Sequence, residues 1–150
     1  MYHILIIEDD TDINNMIASV FDYSGAEREK VVSRIGVLIE ALGLYPELPA
    51  YDNLKLKCIC VGLHRSGYIE NILNIVGLGN VGKKKVGPFS LGMKQRLGIG
   101  VALVGESNLL VLDKLINGLD PEGIAKVRET LFRLNESEKI TMELSRSGIA

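Results

Sequence analysis

Ser90 and Gly92, at the head of an apolar helical pattern, are the residues best suited to meet an anion. The first turn of a helix leaves N–H groups without intrahelical acceptors and carries the positive end of the helix dipole, and a capping hydroxyl adds a further polar group. Downstream, Leu109-Leu110-Val111-Leu112 ends at Asp113, which puts a carboxylate where a buried strand meets solvent. Glu8, Asp9 and Asp10 close a similar apolar run near the start of the chain. Three acids after a strand commonly form only a solvated loop, although a hard cation such as magnesium favours oxygen donors of this kind. Cys58, Cys60 and His64 are too few soft ligands for a zinc site.

One stretch imitates a phosphate-binding loop. Gly77-Leu78-Gly79-Asn80-Val81-Gly82-Lys83-Lys84 fits G-x-G-x-x-G, and it fits G-x-x-x-x-G-K up to the last position, where Lys84 replaces a hydroxyl residue. Such a loop works only between a strand and a helix, because its N–H groups and the helix start must converge on the phosphate. Residues 69–76 have helical spacing, and Lys85-Val86-Gly87-Pro88 cannot open a helix. A surface loop is expected.

The elements that must position these groups alternate between strand and helix. Strands are expected at residues 3–7, 35–39, 109–112 and 140–144, and helices at 11–21, 51–63, 68–76, 90–104 and 121–134. Asp120-Pro121-Glu122 is a helix start, with an acidic cap, proline at the first helical position and an acid in the first turn. Val127, Leu131 and Leu134 share one face of that helix. Residues 23–30 and 43–49 read as linker and loop, the latter holding Pro46 and Pro49. The alternation gives an α/β class with a small, mainly parallel sheet and a helical subdomain over about residues 51–105.

Composition agrees. The 150 residues hold 17 basic and 19 acidic side chains, so nothing marks a nucleic-acid binder. Aromatics are 5% against 47% hydrophobic residues, which suits an aliphatic α/β core. The two cysteines, two apart on a helix, face different ways and read as buried structural thiols in a reducing compartment. No apolar run reaches the roughly 18 residues of a membrane span, so direct membrane insertion is not expected. A cytoplasmic protein, or one peripheral to the membrane through a partner, is expected.

From about residue 20 onward the chain resembles the ATP-binding subunit of bacterial ABC transporters, of the bacitracin and lantibiotic export type. Phe89-Ser90-Leu91-Gly92-Met93-Lys94-Gln95-Arg96 is similar to the signature motif, and Leu109 to Asp113 to Walker B. Asn117-Gly118-Leu119-Asp120-Pro121 resembles the D-loop, and Glu40 with Gly43-Leu44-Tyr45-Pro46 the Q-loop region. The resemblance implies a P-loop-NTPase-like cassette with ATP and Mg²⁺ as cofactors, Asp113 on magnesium, and Ser90, Leu91, Gly92 and Met93 on the γ-phosphate held by an opposite subunit. It also implies an intact ATPase subunit and a membrane permease as partners.

Three departures qualify this. No phosphate loop precedes the Q-loop-like region, so a truncated cassette lacking Walker A is expected. Lys114 stands where the family has its catalytic glutamate, and Ser147 where the switch histidine is expected. A protonated ammonium cannot polarise water, and loss of a general base costs about 10²–10⁴ in rate. Autonomous hydrolysis is therefore not expected, and the signature surface acting in trans is the leading reading. Residues 1–19 instead resemble the first strand and acidic pocket of a response-regulator receiver domain, with Asp9 and Asp10 as its acidic pair. The alternatives are an active ABC-type ATPase, a signalling remnant using those acids, or a non-functional relic.

Overall fold

The computed structural model describes residues 3–7, 35–38, 43–105, 109–113, 115–138 and 141–144. Four short strands, β1 (His3–Ile7), β2 (Ile35–Leu38), β3 (Leu109–Asp113) and β4 (Thr141–Leu144), form one sheet in the order β2-β3-β1-β4. Every neighbouring pair is parallel, with His3 opposite Leu109 and Thr141, and Ile35 opposite Leu109. All four expected strands are present, within a residue of their expected ends. β1 lies inside the sheet, between β3 and β4. The helix expected at residues 11–21 and the linker at 23–30 lie outside the described residues.

Among the described residues four α-helices accompany the sheet: α1 (Ala50–Cys60), α2 (Tyr68–Ile75), α3 (Leu91–Leu103) and α4 (Pro121–Glu138). α3 is the hub, packing on α1, α2, α4, β2 and β3. It therefore buries residues all around its axis, from Gly92 and Gln95 to Leu97, Ile99 and Leu103. At Gly100 a Cβ would stand 3.1 Å from Ile72 Cγ2 and 3.5 Å from Leu54 Cδ2, so α1, α2 and α3 close around a position with no side chain. A single hydrophobic cluster runs from Leu54, Ile72 and Val76 through Leu97 and Ile99 to Leu110, Leu112, Val127 and Leu134.

α4 begins as its sequence dictates. Asp120 Oδ1 accepts from Gly123 N at 2.9 Å, and Pro121 occupies the first helical position, where no N–H is needed. Val127, Leu131 and Leu134 are buried, while Glu122–Lys126 and Glu129–Arg133 pair one turn apart on the exposed face. The helix continues to Glu138, past the expected end near Leu134.

The expected fate of the cysteines needs one correction. Cys58 is buried but Cys60 is exposed, because two residues along a helix is more than half a turn. Burial pushes the Cys58 thiol pKa up, with a backbone hydrogen bond opposing.

Residues 77–84 form the surface loop expected of them. Gly77, with φ +68°, terminates α2: its N–H donates to Asn74 O at 3.0 Å, and Leu78 N donates to Leu73 O at 2.7 Å. This bonding pair is a Schellman motif, and buried Leu78 and Leu73 supply its usual apolar contact. A 3₁₀ turn, Gly79–Val81, follows. The loop then offers carbonyls: Ala50 N donates to Lys84 O at 3.2 Å and Tyr51 N to Gly82 O at 2.9 Å. It caps the start of α1 with oxygen atoms, the opposite polarity to a phosphate cradle.

Candidate functional site

The starts of α3 and α4 meet at a cleft of about 400 Å³. On one side Ser90 takes an extended conformation (φ −61°, ψ 161°) and its Oγ accepts from Met93 N at 3.3 Å. Ser90 O accepts from Lys94 N at 2.9 Å, the first full helical bond of α3. On the other side Asp120 caps α4. Between them Gly92 is buried, and a Cβ there would lie 3.4 Å from Gly123 Cα and 3.7 Å from Leu119 Cδ2. Two glycines facing each other thus let the helix starts approach closely.

Gly118 shapes the rim. Its φ of +74° belongs to the left-handed region, and a Cβ on it would come 3.4 Å from Leu91 Cδ2. The turn from Leu115 to Gly118 is pinned by Leu115, which is fully buried, and by Leu119 N donating to Ile116 O at 3.2 Å.

The charges in the cleft are balanced. Lys126 Nζ pairs with Glu122 Oε1 at 2.5 Å in an exposed setting that contributes little to stability. Arg96 is half-buried and donates from Nη1 to Val76 O at 3.3 Å and to Gly77 O at 3.1 Å. Its pKa is pushed down by burial, with Glu129 opposing that shift. Arg96 Nε is buried and has no hydrogen-bond partner among the described residues.

The cleft joins two stretches that sequence analysis had singled out separately. Ser90, Leu91, Gly92 and Met93 line it together with Gly118, Leu119 and Asp120. Asn117 is exposed in the adjoining turn and is outside the lining. The backbone of Asp113 ends β3 opposite Ile7, at the carboxyl edge of the sheet. Glu40, Asp9, Asp10, Lys114 and Ser147, and the side chain of Asp113, lie outside the described residues. Among the described residues no group of three or more His, Cys, Asp or Glu side chains is placed to hold a metal ion.

Sequence reasoning missed the parts played by Gly123, Lys126 and Arg96. Gly123 is readable in hindsight from the Asp-Pro-Glu-Gly start, since a Cβ there would press on Asp120 Oδ1 at 2.7 Å. It also missed Asn53, which is buried and ties the 43–49 loop to α1. Asn53 Oδ1 accepts from Tyr45 N at 2.8 Å, and its Nδ2 donates to Tyr45 O and Pro49 O.

A second cavity, of about 540 Å³, borders the 77–84 loop near Tyr51, Asp52, Glu70 and Lys83. The loop presents capping carbonyls where a phosphate needs N–H donors, which agrees with the sequence argument.

Comparison with known proteins gives these features a context. The family model described as ABC transporter matches residues 5–117. The bacitracin transport ATP-binding protein BcrA of Bacillus licheniformis is 43% identical over 118 residues, which is 79% of this chain and 39% of that protein. The lantibiotic transport ATP-binding protein SrtF of Streptococcus pyogenes is 46% identical over 112 residues, 75% of this chain and 48% of its own length. The chain thus spans less than half the length of these curated relatives. Among solved structures, the ATP-binding cassette MJ0796, a dimer in a post-hydrolysis state bound to ADP and Pi, superposes with a TM-score of 0.66 at 19% identity. That likeness covers 97% of this chain and 75% of the other, and it shows the fold.

Proposed function

Because this chain belongs to the ABC transporter family, on a match covering residues 5–117, we propose that it serves as a nucleotide-binding component of an antimicrobial-peptide or drug exporter, completing in trans an ATP site held mainly by an intact ATPase subunit. The observation that carries this reading is the cleft in which Ser90, Gly92, Leu119 and Asp120 meet. Its donors fit a phosphate: a serine hydroxyl and the first-turn N–H groups of a 13-residue helix border one space, while Arg96 Nη1 is held by Val76 O and Gly77 O. Bound magnesium–ATP supplies the phosphoryl group that passes to water. The work of this chain is to bind and orient that group through the start of α3, with Leu119 and Asp120 fixing the opposite wall.

Asp113, at the end of β3, is the magnesium ligand in this reading, and Glu40 and Asn117 keep their Q-loop and D-loop assignments. Lys114 in place of a catalytic glutamate means that the chain hydrolyses no ATP by itself. The partners are the intact subunit and a membrane permease that meets the helical lobe around α1 and α2. Among the described residues no helix is long and apolar enough to cross a membrane, and in this reading the permease holds the chain at the inner membrane face. The same reading divides the chain into a receiver-like start, residues 1–19, and a partial cassette, residues 20–150. That division concerns origin, since β1 pairs within the one sheet.

The test is to mix purified chain with an intact ATP-binding subunit of the bacitracin or lantibiotic type and follow phosphate release. The expected result is a saturable rise in hydrolysis with added chain, absent for the chain alone. No co-purification and no change in rate, from a chain shown by a cooperative melt to be folded, would remove the proposal.

A further inference from the structure

Arg96 lies one turn below Gly92 on the same face of α3, yet its guanidinium is committed elsewhere. Nη1 is shared between Val76 O and Gly77 O, at 3.3 and 3.1 Å. These carbonyls follow the Schellman bonds that end α2 and carry the negative end of its dipole, where a cation is favoured. We infer that Arg96 is a positioning residue for the cleft, fixing the tilt of the α3 start by anchoring α3 to the C-terminal end of α2.

Three observations support this. First, Gly77 is shaped around the contact: with φ +68°, a Cβ there would stand 2.9 Å from Arg96 Nη1, so any side chain would push the guanidinium away. Second, Arg96 Nε is buried without a partner among the described residues. An arginine serving only as a solvated surface charge would turn that N–H to water, so the two carbonyls hold the side chain against a cost. Third, the group stands where three elements meet, with α2 behind it, α3 carrying it and Glu129 of α4 acting on it electrostatically.

Adhesion of the lobe does not depend on this residue. α1, α2 and α3 are already joined by Leu54, Ile72, Val76, Leu97 and Ile99, all at most 3% exposed. Arg96 lies outside that core, on the cleft side. The planar guanidinium adds direction to the contact, which apolar packing does not. A shift of the end of α2 is therefore passed toward Ser90 and Gly92 through this contact as well as through the shared core.

The inference rests on the functional reading above only for its activity readout, so the experiment has two arms. In the first, amide exchange at Met93 N–H, the group held by Ser90 Oγ, is compared in the wild type, Arg96→Gln, Arg96→Lys and Gly77→Ala. Arg96→Gln and Gly77→Ala should speed exchange there about five- to tenfold, while the buried amides of α3 stay protected. At Met93 their double mutant should add little to either, because both changes reach that amide through one contact, whereas Gly77→Ala also strains the left-handed end of α2 and lowers the melt by itself. Arg96→Lys, whose ammonium can reach the same carbonyls but lacks the planar fork, should recover only part of the protection.

In the second arm, each variant is titrated to saturation against the intact subunit. Arg96→Gln should lower the plateau kcat about tenfold and leave KM for ATP within about twofold, since the nucleotide rests on the partner's loop. A merely structural role would change the amount of chain needed for saturation and leave the plateau intact. Wild-type Met93 exchange in Arg96→Gln, with only the melt lowered, overturns the inference. If the wild-type chain never stimulates the partner while Arg96→Gln still loosens Met93, the functional reading falls and the positioning link stands.

Discussion

Replacing Ser90 separates the two things its hydroxyl does. In Ser90→Ala the bond from Met93 N to Oγ, 3.3 Å long, is lost, and a helix of 13 residues loses its cap. Loss of such a cap costs about 1 kcal/mol, which for a chain of this size lowers Tm by about 2–4 °C. Ser90→Asp is the informative partner. Aspartate caps about as well as serine and is favoured by the helix dipole, so the melt should stay within about 0.5 kcal/mol of wild type. Its carboxylate, however, would face any anion brought to the same N–H groups. Two unit charges about 4 Å apart at a protein surface repel by about 4 kcal/mol, and the exposure of Ser90 discounts this to about 2–4 kcal/mol. That is a loss of about 30- to 1000-fold in affinity for the phosphate. The assay is the saturable stimulation of an intact ATPase subunit, run beside a thermal melt. If Ser90→Asp folds like the wild type and stimulates like it, no anion approaches the start of α3, and the cleft has been misread.

Further outcomes follow from the same geometry. Lys83→Ala and Lys84→Thr, the latter completing the phosphate-loop pattern, should leave binding of a fluorescent ATP analogue unchanged, because carbonyls of this loop are committed to capping α1. Leu134→Ala removes a side chain with no exposure and should cost about 2–5 kcal/mol in urea unfolding, with the slope unchanged. A thiol reagent at neutral pH should modify Cys60 at once and Cys58 only on denaturation, since burial shields Cys58 and raises its pKa. Two fast equivalents in the native state would contradict that packing.

Much of this architecture was legible because its signals are local. Leu109 to Asp113 is apolar, short and ends in an acid, and it is β3. Ser90, and Asp120 with Pro121, carry capping chemistry that needs no tertiary context, and both helices start where that chemistry places them. The false phosphate loop could be dismissed on its neighbours alone, because residues 69–76 keep a helical spacing. Other features depend on what lies across the fold. The positive φ of Gly77 and the two carbonyls that receive Arg96 exist only once α2 ends against α3. The contact between Gly92 and Gly123 likewise joins residues that the sequence separates by a strand. The exposure of Cys60 was available from helical spacing but was overridden by the general tendency of free cysteine to be buried.

The place of β1 has a consequence for how the molecule is made. β1 comes before both of its sheet neighbours in the chain, yet it lies in the interior of the sheet, where His3 takes as neighbours Leu109 on one side and Thr141 on the other. Until those strands leave the ribosome, both edges of His3–Ile7 are open and its backbone groups have no ladder to join. α1, α2 and α3 also pack on one another, so part of the helical lobe can gather while β1 is still waiting. Synthesis therefore passes through a stage in which the lobe is partly gathered and an apolar strand is bare. That stage, more than the finished fold, is where a cell's chaperones would be needed and where a slow stretch of translation would do most harm.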